Sequence, residues 1–175
     1  MTFDNIEYLK NGNERQRAAY RALTENSVFE RLQVFSPLLT GSIPINIDID
    51  ESDLDIVCYW EKKDAFANTL RREFGQVHGF NLREQVINDY ETVLASFHLN
   101  EFEIEIFGQN RPTKEQDAFR HMVIEYQILM TRGEVFRQEI IKLKKEGLKT
   151  EPAFGRLLGL GRNPYEELLN YKWTE

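Results

Sequence analysis

The six residues Ser52-Asp53-Leu54-Asp55-Ile56-Val57 restrict the fold of this chain more than any other stretch. On a β-strand successive side chains point to opposite faces, so Asp53 and Asp55 share one face and Leu54 and Ile56 the other. One face must be packed, and the other must stay open to water or a ligand. Two carboxylates about 7 Å apart along such a strand repel one another unless a cation lies between them. Hard divalent ions such as Mg²⁺ take oxygen ligands of this kind, usually one or two carboxylates together with substrate phosphates. Upstream stands Gly41-Ser42, a turn whose backbone can approach closely and whose N–H groups and hydroxyl suit a phosphate. The combination implies metal-assisted chemistry on a nucleotide.

The rest of the chain is ordinary globular material. Its 175 residues suffice for one domain that needs no disulfide or structural metal to fold. The one cysteine, Cys58, falls on the Leu54/Ile56 face and reads as a buried, inert thiol, which fits a cytoplasmic protein. No basic segment followed by an apolar run opens the sequence, and no apolar stretch is long enough to span a membrane. A net charge of −7 excludes bulk nucleic-acid binding through the whole surface, while leaving room for a local basic pocket.

Apolar periodicity predicts helices over 4–10 and 14–25, the second capped by Asn13, with a further turn or two over 28–33. A short strand over 36–40 enters the Gly-Ser turn, and 53–60 forms the next strand. A helix over 63–74 ends at Gly75, 77–83 suits a strand, and 92–98 with 101–107 suits a hairpin around Leu99-Asn100. Beyond Gly108 the pattern is helical throughout: 114–131, 134–146, 151–158 and 164–171, with Gly133 and Gly147 as breaks and Asn163-Pro164 as a start signal. The expected fold class is therefore α+β, with a small mixed or antiparallel sheet and flanking helices followed by an all-helical C-terminal part. The boundary falls at 1–110 and 111–175, with a cleft between the two halves.

Leu39-Thr40-Gly41-Ser42 and Ser52-Asp53-Leu54-Asp55-Ile56-Val57 together resemble the signature of the polymerase-β-like nucleotidyltransferase superfamily. Three stretches, Gly41-Ser42-Ile43-Pro44, the run from Phe102 to Gln109 and the run from Gly147 to Phe154, are similar to an uncharacterised bacterial family placed in it, domain of unknown function 4269. The resemblance extends from about residue 15 to 171. It implies a palm-like sheet and a third carboxylate from a neighbouring strand. The strand around 101–107 alternates Phe102, Ile104 and Ile106 against Glu101, Glu103 and Glu105, so Glu103 and Glu105 compete for that place, with Glu105 preferred. In the implied chemistry Asp53, Asp55 and the third acid hold Mg²⁺ or Mn²⁺ and activate a hydroxyl for attack on an α-phosphorus. Gly41, Ser42 and Lys149 are the candidate nucleotide-binding residues. In many members of that superfamily the Gly-Ser opens a helix; here Ile43-Pro44 and an alternating run, Ile45-Asn46-Ile47-Asp48-Ile49-Asp50, stand instead.

Other charged residues read more plainly. Arg71-Arg72 and the segment with Arg137, Lys142, Lys144 and Lys145 suit solvated helix faces, His121 beside Arg120 a structural role, Asp48 a solvated loop, and Tyr126 or Phe154 are the aromatics that could stack on a base. No P-loop, dinucleotide fingerprint, paired Cys/His spacing or nucleophile elbow is present. The expected function is transfer of NMP from an NTP to a hydroxyl acceptor the sequence does not name. The rivals are a catalytically silent nucleotide- or metabolite-binding protein of the same fold, and a partner-binding, toxin–antitoxin-like module. Oligomerisation is left open.

Overall fold

Five strands form one mixed sheet in the order β1-β2-β5-β4-β3, and the computed structural model describes residues 2–172. The strands are β1 (Leu38–Thr40), β2 (Leu54–Tyr59), β3 (Asn81–Ile87), β4 (Tyr90–Leu99) and β5 (Phe102–Gln109). All neighbours run antiparallel except β2 and β5, which are parallel, with Leu54 opposite Ile104 and Asp55 opposite Glu105.

One face of the sheet is closed by α1 (Glu14–Glu25), α2 (Val28–Leu32) and α3 (Lys63–Phe74). Leu54, Ile56, Cys58, Ile104 and Ile106 pack there against Leu23, Leu32, Phe66 and Phe74. Each such side chain contributes about 1.5–3 kcal/mol by leaving water. Gly108 lets α3 approach β5, because a Cβ there would run into the Phe66 ring. The opposite face is shared. Leu38, Val57 and Phe107 are covered by α4 (Asp117–Lys145), α5 (Thr150–Leu158) and α6 (Pro164–Leu169), whereas Asp55 and Glu105, two residues earlier on the same strands, look into a cleft.

The sequence expectations hold for α1, whose Asn13 cap is closed reciprocally by Gln16, and for α3, and they shift elsewhere. The first predicted helix is a tight 3₁₀ turn over Glu7–Asn11. The strand expected over 77–83 begins only at Asn81, since Val77 and Phe80 close turns onto Phe74 and Val77. β3 and β4 form a second hairpin through Asn88-Asp89, both left-handed, as a two-residue turn of matching twist requires. Residues 45–50 are not a strand. Asn46 is left-handed, and Ile43, Ile45 and Ile47 are buried while the chain turns. Gly133, at φ +79° and ψ −171°, breaks α4 into two arms. No described helix is long and apolar enough to cross a membrane.

Candidate active site

The site is assembled where β1 runs out beside the start of β2. Thr40 pairs with Asp55, and the next residue, Gly41, takes φ +84°, a left-handed conformation that costs glycine little. Its Cα lies against the Asp55 carboxylate, so any side chain at 41 would overlap Asp55 Oδ2. Ser42 Oγ then donates to Ser52 Oγ at 3.1 Å, and Ser52 Oγ accepts from the Ile49 amide at 3.0 Å. The two halves of the sequence motif are thus joined by a direct hydrogen bond, one residue before Asp53.

The loop between them is braced from outside. Gln16, the N3 residue of the α1 cap, donates through Nε2 to the carbonyls of Ile43 at 2.8 Å and Pro44 at 3.3 Å. Arg137 donates to the carbonyls of Ile45 and Asn46. Arg15 donates to the carbonyls of Asp50 at 2.9 Å and Ser52 at 3.0 Å, pairs with Asp48 at 3.3 Å and lies over the Phe102 ring. Asp48, expected to be solvated, is therefore a packed ion-pair partner with 11% of its side chain exposed. The alternation of residues 45–50 marked burial of Ile45 and Ile47 rather than a strand.

Across the sheet, Glu105 stands directly opposite Asp55 and also lines the cleft. Glu103 sits opposite His98 at the other register position and is exposed. Burial raises the Asp55 carboxyl to about 7, with Glu105 and then Asp53 adding to the effect. Asp53 is also raised, by burial first and then by Glu103 and Glu105. The Arg83 guanidinium, itself exposed, is 3.8 Å from Glu105. These are acceptor-only oxygens facing one another with little protein cation among them, a donor set suited to a hard divalent ion. Among the described residues no three acidic, His or Cys side chains are drawn together tightly enough to hold one.

The cleft holds about 520 Å³, and its far wall comes from the C-terminal helices. Sequence reasoning missed most of that wall. Lys144 is 7% exposed rather than solvated, and burial lowers its pKa against the opposing pull of Glu125, Asp48, Glu151 and Asp55. Glu125 is buried on the first arm of α4. Nineteen residues of straight helix would separate Glu125 from Lys144 by about 28 Å, so they share one cleft only because the chain reverses at Gly133. A signal for both existed. Glu125 falls on the stripe of Met122 and Leu129, and Lys144 on the stripe of Ile140, so each is a charge at a core position.

Lys149 lines the cleft from an exposed position just before α5. His121 is held by the Tyr165 carbonyl at 2.7 Å and faces Glu151 at 3.7 Å. Arg71 and Arg72 lie on the outer surface of α3, paired with Glu84 and Glu73. Neither aromatic suggested for base stacking is placed for it: Phe154 is wholly in the core and Tyr126 packs edge-on against Phe3.

The profile of a family described as a domain of unknown function (DUF4269) matches residues 21–171. The chain belongs to this family. No curated protein matches. Among solved structures it is similar to the Cid1 poly(U) polymerase with Mg 3′-dATP bound, at a TM-score of 0.56 and 13% identity, covering 93% of this chain and 52% of that one. It is similar also to the GLD-2/RNP-8 complex, at 0.53 and 10%, covering 87% and 61%, and to a cytoplasmic RNA terminal U-transferase, at 0.53 and 12%, covering 79% and 45%. The DUF4269 chain thus spans about half the length of these structures. Its fold is that of the polymerase-β-like nucleotidyltransferase superfamily.

Proposed function

We propose that this DUF4269 protein is a divalent-metal-dependent nucleotidyltransferase that moves a nucleoside monophosphate from an NTP to a hydroxyl acceptor. The observation that carries the reading is the pairing of Asp55 with Glu105 across parallel strands, beneath the Gly41 backbone and beside Asp53. Asp53, Asp55 and Glu105 would hold Mg²⁺ or Mn²⁺, with the exposed Glu103, whose charge also acts on Asp53, as the competitor for the third place. When bound, the metal supplies charge neutralisation on the phosphates and acidifies the attacking hydroxyl.

The protein's own groups then do the rest. The amide and hydroxyl of Ser42, beside Gly41, face the β- and γ-phosphates, and Lys149 and Lys144 offer counter-charge from the helical wall. The acceptor oxygen forms a bond to the α-phosphorus while the α–β phosphoanhydride bond breaks and pyrophosphate leaves. Glu105, across the sheet from Asp55, receives the hydroxyl proton. In this reading the half up to about residue 110 is the acidic floor and the half after it the roof. A supply of NTP and Mg²⁺ matches a cytoplasmic setting.

One observation favours a second reading, nucleotide binding without turnover. The Ser42 hydroxyl is already engaged by Ser52, and residues after it turn rather than open a helix, so the phosphate cradle is weaker than a helix N-terminus would make it.

Thermal unfolding with each NTP, with and without Mg²⁺ or Mn²⁺, tests the site. Ligand at about 100 times its Kd stabilises by about 2.7 kcal/mol, or roughly 5–10 °C for a chain of this size. The shift is expected to need metal and to vanish in Asp53→Asn/Asp55→Asn; an equal shift in the double variant sinks the assignment. Release of pyrophosphate by wild type, lost in the same variant, separates transfer from silent binding.

A further inference from the structure

The helical wall carries a group that the phosphate chemistry leaves unused. Glu125 is 3% exposed and lines the cleft, yet its Oε1 is shut from water and accepts no hydrogen bond. Burial drives its carboxyl well up, with Glu151 adding to the effect and Lys144 opposing it. A buried acceptor without a donor costs about 1–3 kcal/mol, a cost that a ligand supplying the donor would remove. Glu151, in the first turn of α5, faces the same space with 22% of its side chain exposed.

The charges around the cleft sharpen this. Its walls include the carboxyl groups of Glu51, Asp53, Asp55, Glu105, Glu125 and Glu151, against two lysines, Lys144 and Lys149. If Asp53, Asp55 and Glu105 serve the metal and the lysines serve the triphosphate, Glu51 keeps no counter-charge in the cleft, Glu151 has only the His121 ring at 3.7 Å, and Glu125, which burial pushes toward its neutral form, keeps an acceptor without a donor. A nucleic-acid acceptor needs Lys and Arg along its phosphates, and this surface offers it carboxylates. A cavity of about 520 Å³ is also of small-molecule size.

Resting on the nucleotidyl-transfer reading above, we infer that the acceptor is a small molecule bearing an ammonium group close to the hydroxyl it offers, the ammonium being seated on Glu125 and Glu151. The ammonium donates to Glu125 Oε1 and pairs with the Glu151 carboxylate, while the hydroxyl is presented toward Glu105.

The test uses the full chain and keeps the two readings apart. Binding of spermidine and of glucosamine, each against glucose, is measured by calorimetry on wild type, Glu125→Gln and Glu151→Gln without nucleotide. Both amines are expected to bind more tightly than glucose, and to lose about 10-fold or more in affinity in Glu125→Gln, the equivalent of about 1.4 kcal/mol. Should Glu125→Gln fail to fold, the same loss is required of Glu151→Gln. Equal affinity for amine and sugar, or no loss in the folded variants, overturns the inference. Separately, labelled NTP is offered with glucosamine or with a short oligoadenylate. Extension of the oligoadenylate overturns the amine acceptor while upholding nucleotidyl transfer. Absence of any NTP-dependent shift overturns nucleotidyl transfer itself, whatever the amines do.

Discussion

The Cα of Gly41 rests against the carboxylate of Asp55, so the turn proposed to receive phosphate and the acid proposed to hold metal occupy one contact. Alanine at 41 meets two penalties: a left-handed conformation costing about 1–2 kcal/mol, and overlap with Oδ2. Gly41→Ala is expected to lower Tm by at least roughly 2–4 °C and to abolish metal–NTP stabilisation. In the Asp55→Ala background the overlap is gone, so only the backbone part of the cost should remain. Strict additivity of the two substitutions in a double-mutant cycle would deny the contact.

Asp55 predicts an unusual pH dependence. Its folded carboxyl titrates near 7, well above the ordinary value of 3.8. A raised acid is bound to its proton in the fold while the unfolded chain has lost it, so its contribution to stability is present below about pH 4 and is lost as pH rises to about 7. Asp55→Asn should therefore raise the metal-free Tm at pH 8 and change it little at pH 4. Denaturant unfolding of both proteins across that window checks the sign, and a variant less stable than wild type at pH 8 would contradict it.

Arg15 lines no part of the cleft, yet it ties Asp48, Asp50 and Ser52 into the approach to Asp53. Arg15→Met keeps the apolar stem over Phe102 and removes the guanidinium. The expected cost is about 1.5–3 kcal/mol, seen as a lower urea midpoint at unchanged m. Nucleotide stabilisation should weaken with it, because Asp53 loses its fixed entry.

Lys144 is buried among four carboxyl groups, so its charge is costly unless a ligand uses it. Lys144→Met is expected to weaken metal–NTP binding by about 10–100-fold, or about 1.4–2.7 kcal/mol, while leaving nucleoside binding nearly unchanged. Equal losses for nucleoside and triphosphate in calorimetric titrations would place Lys144 away from the phosphates.

The acidic floor was legible in the sequence because it rests on local pattern: Asp53 and Asp55 alternate with Leu54 and Ile56, and Glu105 alternates with Ile104 and Ile106. Their register was not, since Asp55 meets Glu105 across about fifty intervening residues that no short-range rule spans. The roof was misread for a different reason. Lys144 sits among Lys142, Lys145 and Glu146, a composition that suggests solvent, and only its phase relative to Ile140 marks it as buried. Residues 45–50 show the converse hazard: period-two alternation arose from Ile45 and Ile47 buried on a turning chain whose backbone Gln16 and Arg137 hold.

The loop over residues 43–52 is clasped by α1, near one end of the chain, and by Arg137, ninety-two positions from Ile45. Contacts so distant in sequence close late, after the loop entropy between them has been met. The entry to Asp53 is consequently a keystone set only when both flanks have arrived. A nascent or clipped chain lacking either α1 or the second arm of α4 would carry the whole acidic motif in its sequence and still leave it unset.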